Sequence, residues 1–93
     1  MLENLRKNID QIDEQLAGLL IRRAAISKKI GVIKAKAGLP VVDAERESSV
    51  IQKLGSKAAD ECEAAALINV YRTILDESRT LQINVRVGEK AAK

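Results

Sequence analysis

The side chains that could do chemistry in this 93-residue sequence are arginines, lysines, carboxylates, serines and glutamines. The sequence has no histidine and a single cysteine, Cys62. It therefore cannot build a Ser-His-Asp or Cys-His catalytic arrangement, a histidine zinc site or a disulfide framework. We predict neither a metal nor a cofactor. The net charge of +3 fits an anionic ligand, and it also fits many proteins that bind none.

Arg23 is the first residue whose position needs an explanation. Between residues 2 and 37, residues at spacings of three and four form one face of a long helix, as in a coiled coil. We call this face the long stripe: Leu2, Leu5, Ile9, Ile12, Leu16, Leu19, Arg23, Ile26, Ile30, Ile33 and Ala37. Every member except Arg23 is apolar. The charge needs a carboxylate, a path to water or a ligand, and the pattern alone leaves all three open.

Two uncharged polar residues end a second stripe near the C-terminus. Ile68, Tyr71, Leu75, Ser78 and Gln82 follow one another at spacings of three and four, and we call them the short stripe. A helix face that ends in serine and glutamine either frays into solvent or offers neutral hydrogen-bond donors to a buried ligand.

Charged residues also gather shortly after Pro40, at Asp43, Arg46 and Glu47. Asp43 is suited to cap a helix, because its carboxylate can accept from backbone N–H groups of the first turn. Asp43 and Glu47 are four residues apart and share a helix face. They therefore either cap and solvate this helix or contribute to a binding site.

Three helices must position these residues, so the sequence predicts an all-α fold with a long, a short and a long helix. The first runs from about residue 3 to 37, where Gly38-Leu39-Pro40 should end it. The second runs from about residue 44 to 54 and the third from about residue 59 to 83.

The first helix is too long for a compact chain of this size. It spans roughly 50 Å at 1.5 Å per residue, whereas a compact chain of this length has a radius of gyration of about 12 Å. The rest of the chain cannot cover the long stripe, so we predict a two-fold homodimer. Periodicity is lost after residue 83, and we predict a domain of residues 1–83 followed by a flexible tail, residues 84–93.

Four segments together resemble the all-helical AroQ class of chorismate mutases. They are LRKNIDQIDEQLAGLLIRR from residue 5, KIGVIKAK from residue 29, PVVDAERE from residue 40 and ILDESRTLQ from residue 74. The resemblance covers roughly residues 2 to 83. It implies an intertwined helical homodimer with two active sites. It also implies the rearrangement of chorismate to prephenate, on the route to phenylalanine and tyrosine.

The resemblance assigns three cationic residues to the substrate. Arg23 matches the arginine that binds a substrate carboxylate, and Lys34 matches the lysine that bonds the ether oxygen and a carboxylate. Arg6 matches the arginine that the family contributes from the partner subunit. Helix geometry agrees, because Arg6 and Lys34 lie about 42 Å apart along one helix and cannot both touch one small ligand.

The remaining family positions lie on the second and third helices. Asp43 matches the start of the short helix, near the substrate hydroxyl, and Arg46 and Glu47 match the next pair, with the glutamate accepting from that ring hydroxyl. Ser78 and Gln82 match the last pair, with the glutamine on the ether oxygen. Arg79 departs from the pattern, because relatives can have an apolar wall residue there.

The implied reaction suits these residue types. It is a unimolecular rearrangement that needs no nucleophile, metal or proton transfer. Two arginines can hold the two substrate carboxylates and select the reactive conformer. Lys34 and Gln82 are then the expected catalytic pair, because they would stabilise the negative charge that develops on the ether oxygen.

Two other functions stay open from the sequence. An isochorismate-pyruvate lyase shares the scaffold and also binds a dicarboxylate, and a non-catalytic helical dimerisation module would need only the long stripe. We expect no nucleic-acid partner, because basic and acidic residues are interspersed and Tyr71 is the only aromatic. We expect no membrane association and a cytoplasmic location. A partner enzyme of the same pathway, and membership of a larger protein, also stay open.

Overall fold

The computed structural model describes residues 1–91, with side chains described up to residue 88. It contains three helices: α1 (Leu2–Ala37), α2 (Ala44–Gly55) and α3 (Glu61–Ala91). No strand occurs within residues 1–91, so the predicted all-α fold with a long, a short and a long helix is confirmed. None of the helices in the described range is both long and apolar enough to cross a membrane.

Local sequence signals account for the C-terminal end of α1 and for the start of α2. Gly38 ends α1 in the left-handed conformation, with φ 69° and ψ 24°, which a residue without Cβ adopts easily. Pro40 follows and cannot continue the helix. Asp43 caps α2, because its carboxylate accepts from the backbone N–H of Arg46 at 3.0 Å. The predicted cap is therefore confirmed.

Residues on both sides of the start of α3 fix the first turn. The Asp60 carboxylate accepts from the backbone N–H of Glu63 at 2.8 Å. The Glu63 carboxylate reaches back to the backbone N–H of Ala59 at 2.8 Å. This reciprocal arrangement satisfies donors that a helix leaves free at its N-terminus, and it sets the first residue of α3 at Glu61.

The predicted end of the third helix near Ile83 is wrong, because α3 continues to Ala91. Loss of an apolar stripe does not by itself end a helix, and residues 84–91 contain no proline that would break it. Arg86 in this extension also donates to the backbone carbonyl of Leu39, so the extension is tied to the segment after α1. The last part of the predicted tail, residues 92 and 93, lies outside the described residues.

The short stripe is the centre of packing within the chain. Helix α3 packs against both α1 and α2. Leu75 and Gln82 are buried, and Ile68, Tyr71 and Ser78 are half-buried. The stripe predicted from spacing therefore does face the other two helices.

The long stripe has no comparable partner within the chain. Its six members from Leu2 to Leu19 are between 46% and 60% exposed. Even beside α3, α1 buries Ser27 and Gly31, which neighbour the stripe, while Ile26 and Ile33 stay exposed. The described chain is elongated, 58 Å along its longest axis, with a radius of gyration of 16.5 Å. The expectation that the rest of the chain cannot cover the long stripe is confirmed.

Candidate functional site

A cleft of about 440 Å³ opens where the C-terminal half of α1 faces α2 and α3. This volume lies within the range of small-molecule sites. Seven of the eight predicted site residues line it. They are Arg23, Lys34, Asp43, Arg46, Glu47, Ser78 and Gln82. Apolar side chains, including Ile26, Ile30, Val41, Val50 and Leu75, form the rest of the wall.

Lys34 connects three parts of the cleft through its ammonium group. Its Nζ donates to the backbone carbonyl of Val41 at 2.8 Å and to Gln82 Oε1 at 3.0 Å. These bonds link the end of α1 to the following segment and to α3. An ammonium group has three N–H donors, so one is left for a ligand in the cleft.

Gln82 is held in a defined orientation by the same contact. Its side chain must present the carbonyl oxygen to the ammonium of Lys34, because the amide NH₂ cannot accept a hydrogen bond. The NH₂ group is therefore turned away from Lys34 and can donate to a ligand. Gln82 is only 7% exposed, so such a bond would form where water competes little.

Gly31 allows α3 to approach this part of α1. A Cβ on Gly31 would lie 3.0 Å from Gln82 Cα and 3.2 Å from Gln82 Cγ. Both atoms belong to a buried residue, so a larger side chain would push the helices apart. The sequence reasoning missed this role, because a glycine inside a helical pattern can also have open space around it, as Gly18 does on the same helix.

Three charged residues of α2 stand on the opposite wall. Asp43 lines the cleft, and its carboxylate also caps the helix. Arg46 lines the cleft with an exposed side chain. Glu47 is half-buried, and its Oε2 lies 3.5 Å from Nε of Arg79 on α3. One carboxylate has several acceptor positions, so Asp43 can cap α2 and still accept a hydrogen bond from a ligand.

Ser78 makes a contact that the sequence analysis did not predict. Its hydroxyl forms a 2.5 Å hydrogen bond with the hydroxyl of Ser27 on α1. Ser27 is 5% exposed and also lines the cleft. A single serine beside an apolar stripe carries little signal, and its partner lies 51 residues further along the chain.

The structure reduces the number of explanations for the position of Arg23 that the sequence left open. It is half-buried and lines the cleft. Among the described side chains, no carboxylate lies within ion-pair distance of Arg23. An ion pair within the chain therefore does not explain its place on the long stripe, which leaves solvent or a ligand.

Arg6 is the one predicted site residue that the chain does not bring to this cleft. Its guanidinium is 3.6 Å from the carboxylate of Glu3 on the exposed first turns of α1. It lies about 25 Å along the helix from Arg23. Any contact between Arg6 and a ligand in such a cleft must therefore involve the cleft of another subunit.

The cleft as a whole has more cationic than anionic side chains in its walls. Its walls contain four cationic and two anionic residues. Arg23 and Lys34 lie 11 residues apart on α1 and Arg46 lies on α2, so separate cations can reach separate carboxylates. Ser78 and Gln82 add uncharged donors. Within the described residues, no three His, Cys, Asp or Glu side chains gather as metal ligands would.

Comparison with known proteins gives a consistent assignment. The family model of chorismate mutase type II matches residues 5–83. The bifunctional chorismate mutase/prephenate dehydratase of Aquifex aeolicus (strain VF5) is 37% identical over 95 residues, covering 94% of this chain and 25% of that protein. The chorismate mutase of Methanocaldococcus jannaschii is 26% identical over 82 residues, covering 87% of this chain and 83% of that protein. The T-protein of Enterobacter agglomerans is 34% identical over 80 residues, covering 85% of this chain and 21% of that protein.

The matched region is much shorter than two of these relatives. This chain spans a quarter of the Aquifex aeolicus protein and about a fifth of the T-protein, but most of the Methanocaldococcus jannaschii protein. The match to the family model includes α2, most of α1 and α3 as far as Ile83, and all eight predicted site residues. The chain belongs to the chorismate mutase type II family.

Proposed function

We propose that this protein is an isomerase that converts chorismate to prephenate. The observation that carries the proposal is the cleft, in which Arg23, Lys34 and Gln82 stand around a space of small-molecule size. The rearrangement needs no nucleophile, which suits a chain without histidine. The names of the relatives from Aquifex aeolicus and Methanocaldococcus jannaschii support the same substrate.

The arginines would select the reactive shape of the substrate. Chorismate carries two carboxylates, and a planar guanidinium binds a carboxylate through two parallel hydrogen bonds. Arg23 would hold one carboxylate from α1, and Arg6 of the neighbouring subunit would approach from outside the chain. Fixing both ends of a flexible substrate on binding lowers the entropy cost of reaching the transition state.

Lys34 and Gln82 would stabilise the transition state. As the C–O bond breaks ahead of C–C bond formation, negative charge develops on the ether oxygen. The free N–H of Lys34 and the amide NH₂ of Gln82 can both donate to that oxygen. Their mutual hydrogen bond at 3.0 Å holds them in place before substrate arrives, so little reorganisation is needed during the reaction.

The other cleft residues would bind the substrate's remaining groups. Ser78 would donate to a carboxylate, while Asp43 and Glu47 would lie near the ring hydroxyl, where a carboxylate can accept. Arg46 would add positive charge at the mouth of the cleft, where its exposed side chain can attract a dianion.

We also propose that the active unit is an intertwined homodimer. The exposed apolar residues of the long stripe extend over the part of α1 that α3 does not cover. A second copy related by a two-fold axis would cover this surface and could bring its Arg6 to the cleft.

The proposed reaction takes place in the cytoplasm, on the route to phenylalanine and tyrosine. Flexibility of residues 84–93 stays a prediction.

A product assay with a matched pair of variants tests this function. Purified protein is mixed with chorismate, the loss of its absorbance is followed, and prephenate is identified after acid conversion to phenylpyruvate. We expect rapid conversion by the wild-type protein and a loss of roughly 100-fold in kcat/KM for Arg23→Ala, because a charged hydrogen-bonding group is removed. Arg22→Ala should keep wild-type activity, since Arg22 is exposed and does not line the cleft.

Two results would contradict the proposal. Unchanged chorismate together with release of salicylate and pyruvate from isochorismate would identify a lyase on the same scaffold. No turnover of either compound by a folded dimer would favour a dimerisation module.

A further inference from the structure

Arg79 forms an ion pair across the cleft wall that the proposed mechanism does not use. It follows Ser78 on α3 and lines the cleft. Its Nε lies 3.5 Å from Glu47 Oε2 on α2, and the two side chains are 34% and 24% exposed. The same guanidinium contacts Asp76 one turn earlier on α3. Arg79 therefore connects α3 to the carboxylate of Glu47 at the edge of the site.

The geometry of this pair leaves Glu47 free to accept a hydrogen bond from a ligand. Arg79 Nε is buried, and no acceptor among the described residues lies in hydrogen-bonding geometry with it. Glu47 is thus its partner by charge and not by a hydrogen bond. The acceptor positions of the Glu47 carboxylate stay available, while the nearby guanidinium restrains where the carboxylate lies.

Charge explains why a cation is useful at this position. Glu47 is one of two carboxylates in the wall of a cleft that we propose to receive a dianion. The other, Asp43, accepts a backbone N–H of its own helix. Without Arg79, Glu47 would face the dianion with no cation among the described residues in ion-pair contact. Like charges in a partly buried site oppose binding.

We propose that Arg79 is a positioning residue that offsets the charge of Glu47 and orients its carboxylate to accept from the ring hydroxyl of the substrate. The inference rests on the proposed function and adds a determinant of specificity to it. Arg79 acts through Glu47 and makes no direct contact with the substrate. Its removal should therefore matter only when Glu47 is charged, and the part of the effect that comes from orientation should also need the ring hydroxyl.

A double-mutant cycle on two substrates tests this role. Arg79→Gln, Arg79→Lys, Glu47→Gln and Glu47→Gln/Arg79→Gln are assayed with chorismate and with an analogue in which hydrogen replaces the ring hydroxyl. We expect Arg79→Gln to lower kcat/KM for chorismate by about tenfold, and Arg79→Lys to restore most of it. The effect of Arg79→Gln should fall below about twofold in the Glu47→Gln background. With the analogue it should fall to about threefold, because the loss of charge offset remains and the loss of orientation does not.

Arg72 provides a matched control. It lies on α3 beside the same Glu47 and Arg79 side chains, in a neighbouring depression, but it makes no ion pair with a described residue. Arg72→Gln should leave kcat/KM within about twofold of wild type. Thermal unfolding of each variant separates a loss of folding from a loss of function.

Three outcomes would overturn the inference. Equal losses on both substrates and in both backgrounds would mean that Arg79 binds a substrate carboxylate or only supports the fold. An active wild-type protein with an unaffected, folded Arg79→Gln variant would remove the role of Arg79 alone. A wild-type protein that leaves chorismate unchanged would remove the proposed function and this role with it.

Discussion

Residues 2–20 of α1, which we call the N-terminal arm, differ sharply from the short stripe of α3 in burial. Both follow spacings of three and four residues. In the short stripe, every member from Ile68 to Gln82 is buried or half-buried. In the arm, every residue is exposed, including its six apolar stripe members. The same pattern thus leads to packing within the chain in one region and to an uncovered face in the other.

The difference shows that helical periodicity identifies an apolar face that must be covered. It does not indicate whether the same chain or another one covers that face. Helix α3 lies between α1 and α2, so its stripe meets neighbours from the same chain. The arm projects beyond them along the 58 Å length of the described chain. An exposed apolar face of this extent indicates an interaction surface. Variants can therefore separate the cleft residues that one chain brings together from the arm, which the same chain leaves uncovered.

The largest effect is expected from removing the ammonium group of Lys34 from the cleft. Lys34→Ala should lower kcat/KM by roughly 100- to 1,000-fold, because it removes a preorganised donor to the developing charge on the ether oxygen. The variant should keep the oligomeric state of the wild-type protein in light-scattering measurements, since Lys34 is not on the arm. Lys36→Ala is the control, because Lys36 is exposed and does not line the cleft. Loss of activity in Lys36→Ala would contradict the assignment.

The second largest effect is expected from placing a charge on the N-terminal arm. Ile12→Glu places a charge in the middle of the exposed stripe and should weaken dimerisation by about 100-fold or more, since a carboxylate would be buried between subunits. Analytical ultracentrifugation over a concentration series measures the shift. Ile21→Glu introduces the same change on the opposite side of α1, where Ile21 is 71% exposed, and should leave the dimer intact. Equal dimer dissociation constants for the two variants would mean that the long stripe is not the dimer interface.

A smaller effect is expected where α1 and α3 approach each other. In Gly31→Ala the new methyl group meets Gln82 Cα at 3.0 Å, so the helices must shift. Overpacking of this kind costs about 1–3 kcal/mol of unfolding free energy, and we expect about a tenfold lower kcat as Gln82 moves. Gly18→Ala is the control, because its Cβ would meet no atom within 4 Å. That variant should be as stable as wild type or more so in thermal unfolding, since alanine favours helix.

The smallest effect is expected at Ser27. Ser27→Ala removes the hydroxyl that forms the 2.5 Å bond with Ser78, and a neutral hydrogen bond contributes about 1 kcal/mol. We expect a rise in KM of roughly threefold to fivefold with little change in kcat, because Ser78 is assigned to substrate binding. Ser49→Ala, at an exposed position of α2, should show no change in steady-state kinetics. A large loss of kcat in Ser27→Ala would contradict this assignment of Ser78.

Much of the fold follows from local signals in the sequence. Gly38 and Pro40 end α1 where predicted, and the Asp43 cap starts α2 as expected. These features depend on residues within a few positions of each other, so the sequence contains all that is needed to predict them. The apolar residues of the short stripe were also predictable, because a 3.6-residue period identifies the face that is buried.

The features that were missed depend on contacts between distant residues. Gly31 and Ser27 acquire their roles only when Gln82 and Ser78 pack against them, and periodicity does not specify which residues of two helices meet. The ion pair between Arg79 and Glu47 likewise requires the relative placement of α2 and α3. The end of α3 was missed because the helix continues after its apolar face is lost.

The most direct test of the account is complementation between two inactive variants. Arg6→Ala and Lys34→Ala chains are purified separately, shown to be inactive, then mixed, unfolded and refolded together. If Arg6 completes the cleft of its partner, half of the dimers are mixed and each has one intact site, so about a quarter of the wild-type activity should return. Persistent inactivity of a mixture that contains the mixed dimer would contradict a site shared between two subunits.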